Sequence, residues 1–576
     1  MGVPGFFSWL LRHYKRNNFI LDSLKTQPKI LYIDANCLFH PCCYKILEAF
    51  PELDNLDKIE AKMFKRIVNY IDYLVDYVNP TEGVYIAVDG VAPVAKINQQ
   101  RKRRYRSIAD NEIKNKLKDK YLIPYNKSWN NTVITPGTEF MEKLDRYLIN
   151  HFKKRMRTNN KTYIYSSYLI CGEGEHKILE DLRQKENSED SYVIYGLDAD
   201  LIFLAMSSQK NNIYLLREDS EISNTKPELF DPVEDIAEPL KFVSIDNTKE
   251  AYNEQIRGII CRKAKEKRKF VNVENDFCND FIFLCYLLGN DFLPHFPSID
   301  IKKNGLDIIL DKYTDIYVNT KKNLITLKSN KVYIDNIILE FLLKELSEYE
   351  DIYFKEILPK HREIVLKRRC PHNDNEYLRN VWELENMRNI KLEDPIRLGE
   401  DTHEEYTKRY YDHYFGSDSK DLRNKLSEMY LTGLNWTTKY YYVGCANWLW
   451  QYSYNHAPFI SDLYNYVKNS KININTIKFK KSESIESSMQ LLCVIPPQMR
   501  EMIPLPHRNL MNNKEIKHMF PYEFKLDMLY KDMYYQCIPE LPEVEIEKIE
   551  EEYNKYYKKE KIKRYKNPLK FEISLK

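Results

Sequence analysis

An α/β layered fold with a mostly parallel sheet is the class that residues 1 to about 310 predict, and two observations predict it. Apolar β-type runs alternate with helix-type stretches across that span. Three of those runs, residues 30–34, 84–89 and 192–198, stop at an acid: Asp34, Asp89 and Asp198. In a parallel sheet such residues gather at the carboxyl edge, where open α/β folds place their sites.

The remaining elements follow in chain order. Residues 140–152 and 175–184 have helical patterning, and residues 276–288 form an apolar run that reads as a buried helix leading to Asp291. A helix is expected from about Ala92, after the turn made by Gly90 and Pro93. Residues 311–400 are more polar and read as a helical connecting region, with a helix at 334–349 and a turn at 371–375. A second dense segment follows at 401–545. Residues 546–576 form a charged tail, in which acids at 543–552 give way to bases at 555–570, as one helix with charges suited to its dipole would.

Composition sets limits. A chain of 576 residues with 43% hydrophobic and 30% charged residues reads as globular and as more than one domain. The net charge of +3 is too small to argue nucleic-acid binding, so that argument needs local patches. Tyr, Lys, Asn and Ile are favoured, and all have AT-rich codons, a bias that suits an AT-rich viral or protist genome. The 11 Cys lack a C-x-x-C pair and suit a reducing compartment. Cys37, His40, Cys42 and Cys43 fit no common zinc spacing and are read as buried thiols. There is no secretory signal pattern, no 18-residue apolar run and no P-loop, so a membrane span and ATP hydrolysis are not expected.

Seven acids carry the chemistry. Besides Asp34 and Asp89 they are Glu173 and Glu175, Asp198 and Asp200, and Asp291. Any one of them could simply cap a helix. Glu173-x-Glu175 and Asp198-x-Asp200 say more, because residues two apart in an extended segment point the same way and can present both acids to one centre. Two carboxylates about 4 Å apart repel by roughly 4 kcal/mol at an effective dielectric near 20. Seven in one cleft therefore need cations. All-oxygen donors favour Mg²⁺ or Mn²⁺, and two such ions can clamp both oxygens of a phosphodiester.

A cationic stripe follows Asp89 directly. Lys96, Gln100, Arg103 and Arg104 fall at i, i+4, i+7 and i+8, on one helical face. A helix face of this kind is usually solvated surface. Beside an anionic metal centre it reads instead as a grip for a terminal phosphate. Aromatics crowd residues 436–452, and most are expected in the core, with one or two left as a base-stacking platform.

These residues carry a family resemblance. The chain resembles the Xrn-type 5′→3′ exoribonucleases over nearly its whole length. One block runs from Met1-Gly2-Val3-Pro4-Gly5 to Asn290-Asp291-Phe292 and includes Asp89-Gly90-Val91-Ala92-Pro93, Asn98-Gln99-Gln100-Arg101, Thr135-Pro136-Gly137-Thr138 and Gly172-Glu173-Gly174-Glu175-His176-Lys177. The other runs from Tyr430-Leu431 through Pro521-Tyr522-Glu523-Phe524. The chain departs from the family at Tyr454-Asn455-His456-Ala457-Pro458, and it ends just after the second block, without the long C-terminal extension of cytoplasmic relatives.

The resemblance implies a PIN/flap-nuclease-like core with a second, mainly helical region packed on it. It implies that Asp34, Asp89, Glu173, Glu175, Asp198, Asp200 and Asp291 hold two ions, and that Lys96, Gln100, Arg103 and Arg104 hold a 5′-monophosphate. His40 would stack on the first base, with Trp448 on the other side of the stack. It further implies single-stranded RNA as substrate, rejection of 5′ caps and triphosphates, nucleoside 5′-monophosphates as product and, upstream, a decapping enzyme. A monomer in the cytoplasm is expected, or in the host cytoplasm or virion for a viral protein. The rivals are a flap-type DNA 5′-nuclease and an inactive RNA-binding scaffold. The Asn98–Arg101 motif and the second block speak against the first, and the complete set of acids against the second.

Overall fold

The computed structural model describes residues 6–14, 19–52, 55–124, 129–158, 161–186, 189–198, 200–218, 231–236, 238–271, 273–329, 331–372, 374–388 and 390–557. The start of the first family motif (residues 1–5), Ala199, Asn373 of the expected turn and the basic tail from 558 onward lie outside the described residues.

Seven strands form one sheet: β1 (Ile20–Leu21), β2 (Ile30–Asp34), β3 (Gly83–Ala87), β4 (Thr162–Ser166), β5 (Tyr192–Tyr195), β6 (Ile213–Glu218) and β7 (Leu240–Ser244). Their order is β1-β7-β6-β5-β2-β3-β4. The five strands from β6 to β4 are parallel, with Ile33 opposite both Ile86 and Tyr195, while β7 and β1 close one side antiparallel. The chain places β3 and β4 on one side of β2 and β5 and β6 on the other. The carboxyl end between β2 and β5 is therefore the topological switch point, where open sheets leave a crevice.

Helices cover both faces, as a parallel sheet requires. They are α1 (Phe6–Tyr14), α2 (Ala35–Ala49), α3 (Leu56–Val78), α4 (Val94–Lys120), α5 (Glu139–Thr158), α6 (Gly174–Gln184), α7 (Asp200–Ser207), α8 (Ile245–Glu266) and α9 (Cys278–Tyr286). Alternate strand residues point to opposite faces. Leu31, Ile33, Val84, Ile86 and Val193 pack against Leu38 of α2, Ile67 and Ile71 of α3 and Leu144 of α5. Ile30, Tyr32, Ile194 and Leu215 face Ile178 of α6, Ile202 of α7 and Phe281 of α9.

The mainly helical second region shares that latter core. Leu342 and Leu343 of Asn336–Ile352 and Leu434 and Trp436 of Lys420–Tyr442 are fully buried in it. Residues 311–400 hold more order than their polarity suggests: a hairpin of Ile325–Lys328 and Lys331–Ile334, then Asn336–Ile352, Leu358–Leu366 and Glu376–Glu385. Ile334 belongs to the hairpin, and the helix starts two residues later because Asp335 caps the backbone N–H groups of Ile337 and Ile338. Likewise α4 begins at Val94, with Pro93 as its extended N-cap rather than Ala92 inside it, and runs on to Lys120.

The second region docks on α4. Val91, Val94 and Ile97 pack with Leu491, Leu492 and Ile495. The Ala92 N–H donates to Gln490 Oε1 (3.0 Å) and the Val94 N–H to the Trp448 carbonyl (2.8 Å). Arg101 is buried and donates to the carbonyls of Pro542 (2.7 Å) and Met519, while Arg106 donates to the Tyr535 carbonyl. These two arginines of the basic run are structural ties, not parts of a cationic face. Arg101→Ala would leave two carbonyls unpartnered. It is expected to lower the unfolding free energy by about 2–3 kcal/mol, measured by chemical denaturation, with the secondary structure preserved.

Candidate active site

Each acid is delivered by the end or start of an element. Asp34 is the last residue of β2 and occupies the N-cap of α2, yet its side chain makes no capping bond and turns inward. Asp89 lies two residues beyond β3, with its N–H donating to Asn36 Oδ1 (2.9 Å) and its Oδ1 accepting the Gly174 N–H (2.7 Å). Glu173 and Glu175 flank Gly174 at the start of α6. A Cβ on Gly174 would stand 2.7 Å from Asp34 Oδ1, so only glycine lets the strand edges and α6 close around the acids. Asp200 opens α7, and Asp291 follows the turn at Gly289 (φ +85°) after α9.

The seven acids form one electrostatic unit. Burial, then Asp89, Asp198 and Glu173, push the Asp34 carboxyl up to about 8. Burial and Asp291 push Asp200 up to about 6. Burial raises Asp89, Glu173 and, most of all, Glu175, which also feels Glu173, Asp200 and Asp198.

Lys96 is the counter-charge. Its Nζ stands 2.6 Å from both Glu173 Oε1 and Asp291 Oδ2. Burial alone would raise Asp291, but this ammonium outweighs it and holds the carboxyl below its ordinary value. The acids hold the Lys96 ammonium charged in the same way, against the effect of its own burial. Lys96 thus joins α4 to the acids, and Arg103 of the same stripe also acts on Asp291.

Those three stay together. Gln100 Oε1 accepts from Arg104 (3.5 Å) and from Gln490 (3.5 Å), and Arg104 also donates to Thr135 Oγ1 (2.7 Å). Arg104 is buried, and burial with Arg103 nearby pushes it down to about 9. Arg103 is exposed and close enough to act on both Asp291 and His40. Among the described residues, neither arginine makes an ion pair with a carboxylate, so Arg103 and Arg104 form a guanidinium pair without an anionic partner there. His40 borders them, and burial, Arg103 and Arg104 push its ring down to about 4, which keeps it neutral.

The aromatics divide as their surroundings dictate. Trp450 stacks on Trp436 (5.0 Å), Trp436 on Tyr440 (4.9 Å) and Tyr440 on His176 (3.7 Å), a run of rings reaching the acids. Tyr440 also donates to Glu173 Oε2 (3.2 Å). Trp448 is half-buried, and among the described residues no ring stacks on it or on His40. His456, at the departure from the family pattern, pairs with Asp527 (3.3 Å) and stacks on Tyr414 (3.6 Å).

Two residues of the Gly172–Lys177 motif gain roles that their place in the sequence did not reveal. His176 brings a ring nitrogen within 4.8 Å of ligand atoms of Glu173 and Glu175. Lys177 is buried and donates to the carbonyls of Val88 (2.7 Å) and Ser167 (3.0 Å), fixing α6 to the ends of β3 and β4. The site fits hard divalent cations: its donors are almost all carboxylate oxygens, and buried Asp34 Oδ1 has no hydrogen-bond partner. The thiols form no comparable group among the described residues. Cys42 and Cys43 are buried, and Cys37 donates to Asp34 Oδ2 (3.1 Å).

Residues 1–219 match the family model described as the XRN 5′-3′ exonuclease N-terminus, and residues 271–377 and 362–567 match the Xrn1 helical domain. The chain belongs to the Xrn family. It is 28% identical to a 5′-3′ exoribonuclease 2 homolog of Drosophila melanogaster, over 98% of this chain and 72% of that protein. It is also 28% identical to 5′-3′ exoribonuclease 1 of Homo sapiens, over 98% of this chain but only 35% of that protein. With 5′-3′ exoribonuclease 2 of Arabidopsis thaliana the identity is 27%, over 95% of this chain and 66% of the relative.

The raised acids set a pH dependence. They hold protons in the fold that the unfolded chain releases near pH 4, so stability falls as pH rises from about 4 toward 8. In EDTA the melting temperature is expected to decline from pH 5 to pH 8, with Mg²⁺ or Mn²⁺ restoring it at pH 8 and Asp34→Asn flattening the decline. A metal-insensitive melting temperature would contradict the assignment.

Proposed function

We propose that the protein is a processive 5′→3′ exoribonuclease that hydrolyses 5′-monophosphorylated single-stranded RNA to nucleoside 5′-monophosphates. The observation that carries this reading is the adjacency of seven clustered acids to the guanidinium pair Arg103 and Arg104, which has no carboxylate ion pair among the described residues. Family membership supports it, as do the printed names of the relatives.

Asp34, Asp89, Glu173, Glu175, Asp198, Asp200 and Asp291 would hold two Mg²⁺ or Mn²⁺ ions, with His176 beside them. When bound, such ions activate water and stabilise the departing oxygen of a phosphodiester. The chain's own residues do the rest. Arg103 and Arg104 bind the terminal phosphate, Gln100 and Thr135 hold Arg104 in place, and Lys96 links that pocket to the acids. A neutral His40 and Trp448, on which no ring stacks among the described residues, would stack on the first bases. A notch whose inner cation is buried favours a compact monophosphate over a cap or a triphosphate. Decay of decapped transcripts, by a monomer in the cytoplasm, is the setting this activity suits.

Asp198→Ala and Asp200→Ala are each expected to reduce cleavage by at least about a hundredfold, while RNA binding stays measurable by electrophoretic shift. Wild-type turnover in either variant would remove the metal-site reading. RNAs that differ only at the 5′ end should separate sharply, with 5′-monophosphate digested far faster than hydroxyl, triphosphate or cap. Arg103→Ala should narrow that difference, as product analysis of end-labelled RNA would reveal. Faster cleavage of 5′-flap DNA than of single-stranded RNA would favour a structure-specific DNA nuclease instead.

A further inference from the structure

The segment 477–485 runs beside Trp448 between two packed bodies. Phe479 packs on the core that contains Trp436 and Tyr440. Ile485 is buried with Val91, Val94 and Ile97, where α4 begins. Between these anchors, Ser482 Oγ accepts the Trp448 N–H (2.8 Å) and donates to Asn447 Oδ1 (2.9 Å). Since the Trp448 carbonyl accepts the Val94 N–H, Trp448 is tied both to the start of α4 and to this segment.

The segment is basic where it faces solvent. Lys478, Lys480 and Lys481 are exposed, and among the described residues none makes an ion pair with a carboxylate. Lys478 and Lys480 alternate with the packed Phe479, over whose ring lies a fourth cation, Lys439 Nζ, at 4.8 Å. Glu483 is the one acid within residues 478–483. An isolated run of lysines would need no ligand. Here the run is held at both ends and bonded to the half-buried Trp448, on which no ring stacks among the described residues.

We propose that Lys478, Lys480 and Lys481 form a track for the phosphodiester backbone of single-stranded RNA, 3′ of the nucleotides in the catalytic pocket. The inference rests on the exoribonuclease reading and extends its binding site. Lysine ammonium groups contact phosphates without regard to sequence, which suits an enzyme that must accept every base in turn. Each contact adds to the salt dependence of binding.

The test uses the full chain with Asp200→Ala to prevent turnover, and compares it with the same chain carrying Lys478→Ala, Lys480→Ala and Lys481→Ala. Two RNAs are titrated, a 5′-phosphorylated dinucleotide and a 5′-phosphorylated oligomer of about 15 nucleotides. The triple change is expected to weaken oligomer binding about tenfold at moderate salt and to lower the slope of log K against log salt by about 2. Dinucleotide affinity and melting temperature should stay unchanged. Equal oligomer affinity, or equal losses for both RNAs, would overturn the track. Failure of the unsubstituted Asp200→Ala chain to bind either RNA would overturn the parent reading, and the track with it.

Discussion

Like charges forced together out of water are the constraint around which this molecule is organised. The parallel strands bring Asp34, Asp89 and Asp198 to one edge, and the starts of α6 and α7 add Glu173, Glu175 and Asp200. Burial then makes each charge more expensive than it would be in solvent. The fold answers with the Lys96 ammonium, paired with Glu173 and Asp291, with Lys177 near Asp89, and with backing from neighbouring elements. Asn36 fixes the Asp89 backbone, Lys177 holds two strand ends, and Tyr440 bonds Glu173 from the second region. A looser scaffold would let the acids separate. This one holds them together.

Arg103 and Arg104 invert the same logic. Arg104 is buried without a carboxylate partner among the described residues, and burial disfavours its charge as it does that of the acids. The two imbalances are of opposite sign, and Arg103 stands close enough to act on Asp291 of the acid cluster.

Much of this was legible in the chain because it is local. A β-type run that ends in an acid declares both its strand and its edge, and the pairs at 173/175 and 198/200 declare a shared direction. What periodicity could not supply is the partner. Helical spacing placed Lys96, Gln100, Arg103 and Arg104 on one face, but a face does not name its partners, and only the long-range approach of Glu173 and Asp291 pairs Lys96 with the acids. Arg101 and Arg106 looked like the same basic run until residues 519–542 packed behind them. His176 read as part of a motif, and its role depends on Tyr440, far along the chain. Residues 311–400 looked polar because helices such as Asn336–Ile352 bury only one stripe, and its partner helix Ile460–Ser470 lies more than a hundred positions away.

One hydrogen bond has a wider meaning. The Val94 N–H, at the first turn of α4, is satisfied by the carbonyl of Trp448. The helix that carries Lys96, Arg103 and Arg104 is therefore finished by a residue from the other half of the polypeptide. Both groups belong to the main chain, so the joint depends on the two backbones staying close rather than on the side chains at either end. Val94→Pro would remove the donor and with it the bond, although more than 350 positions separate the partners.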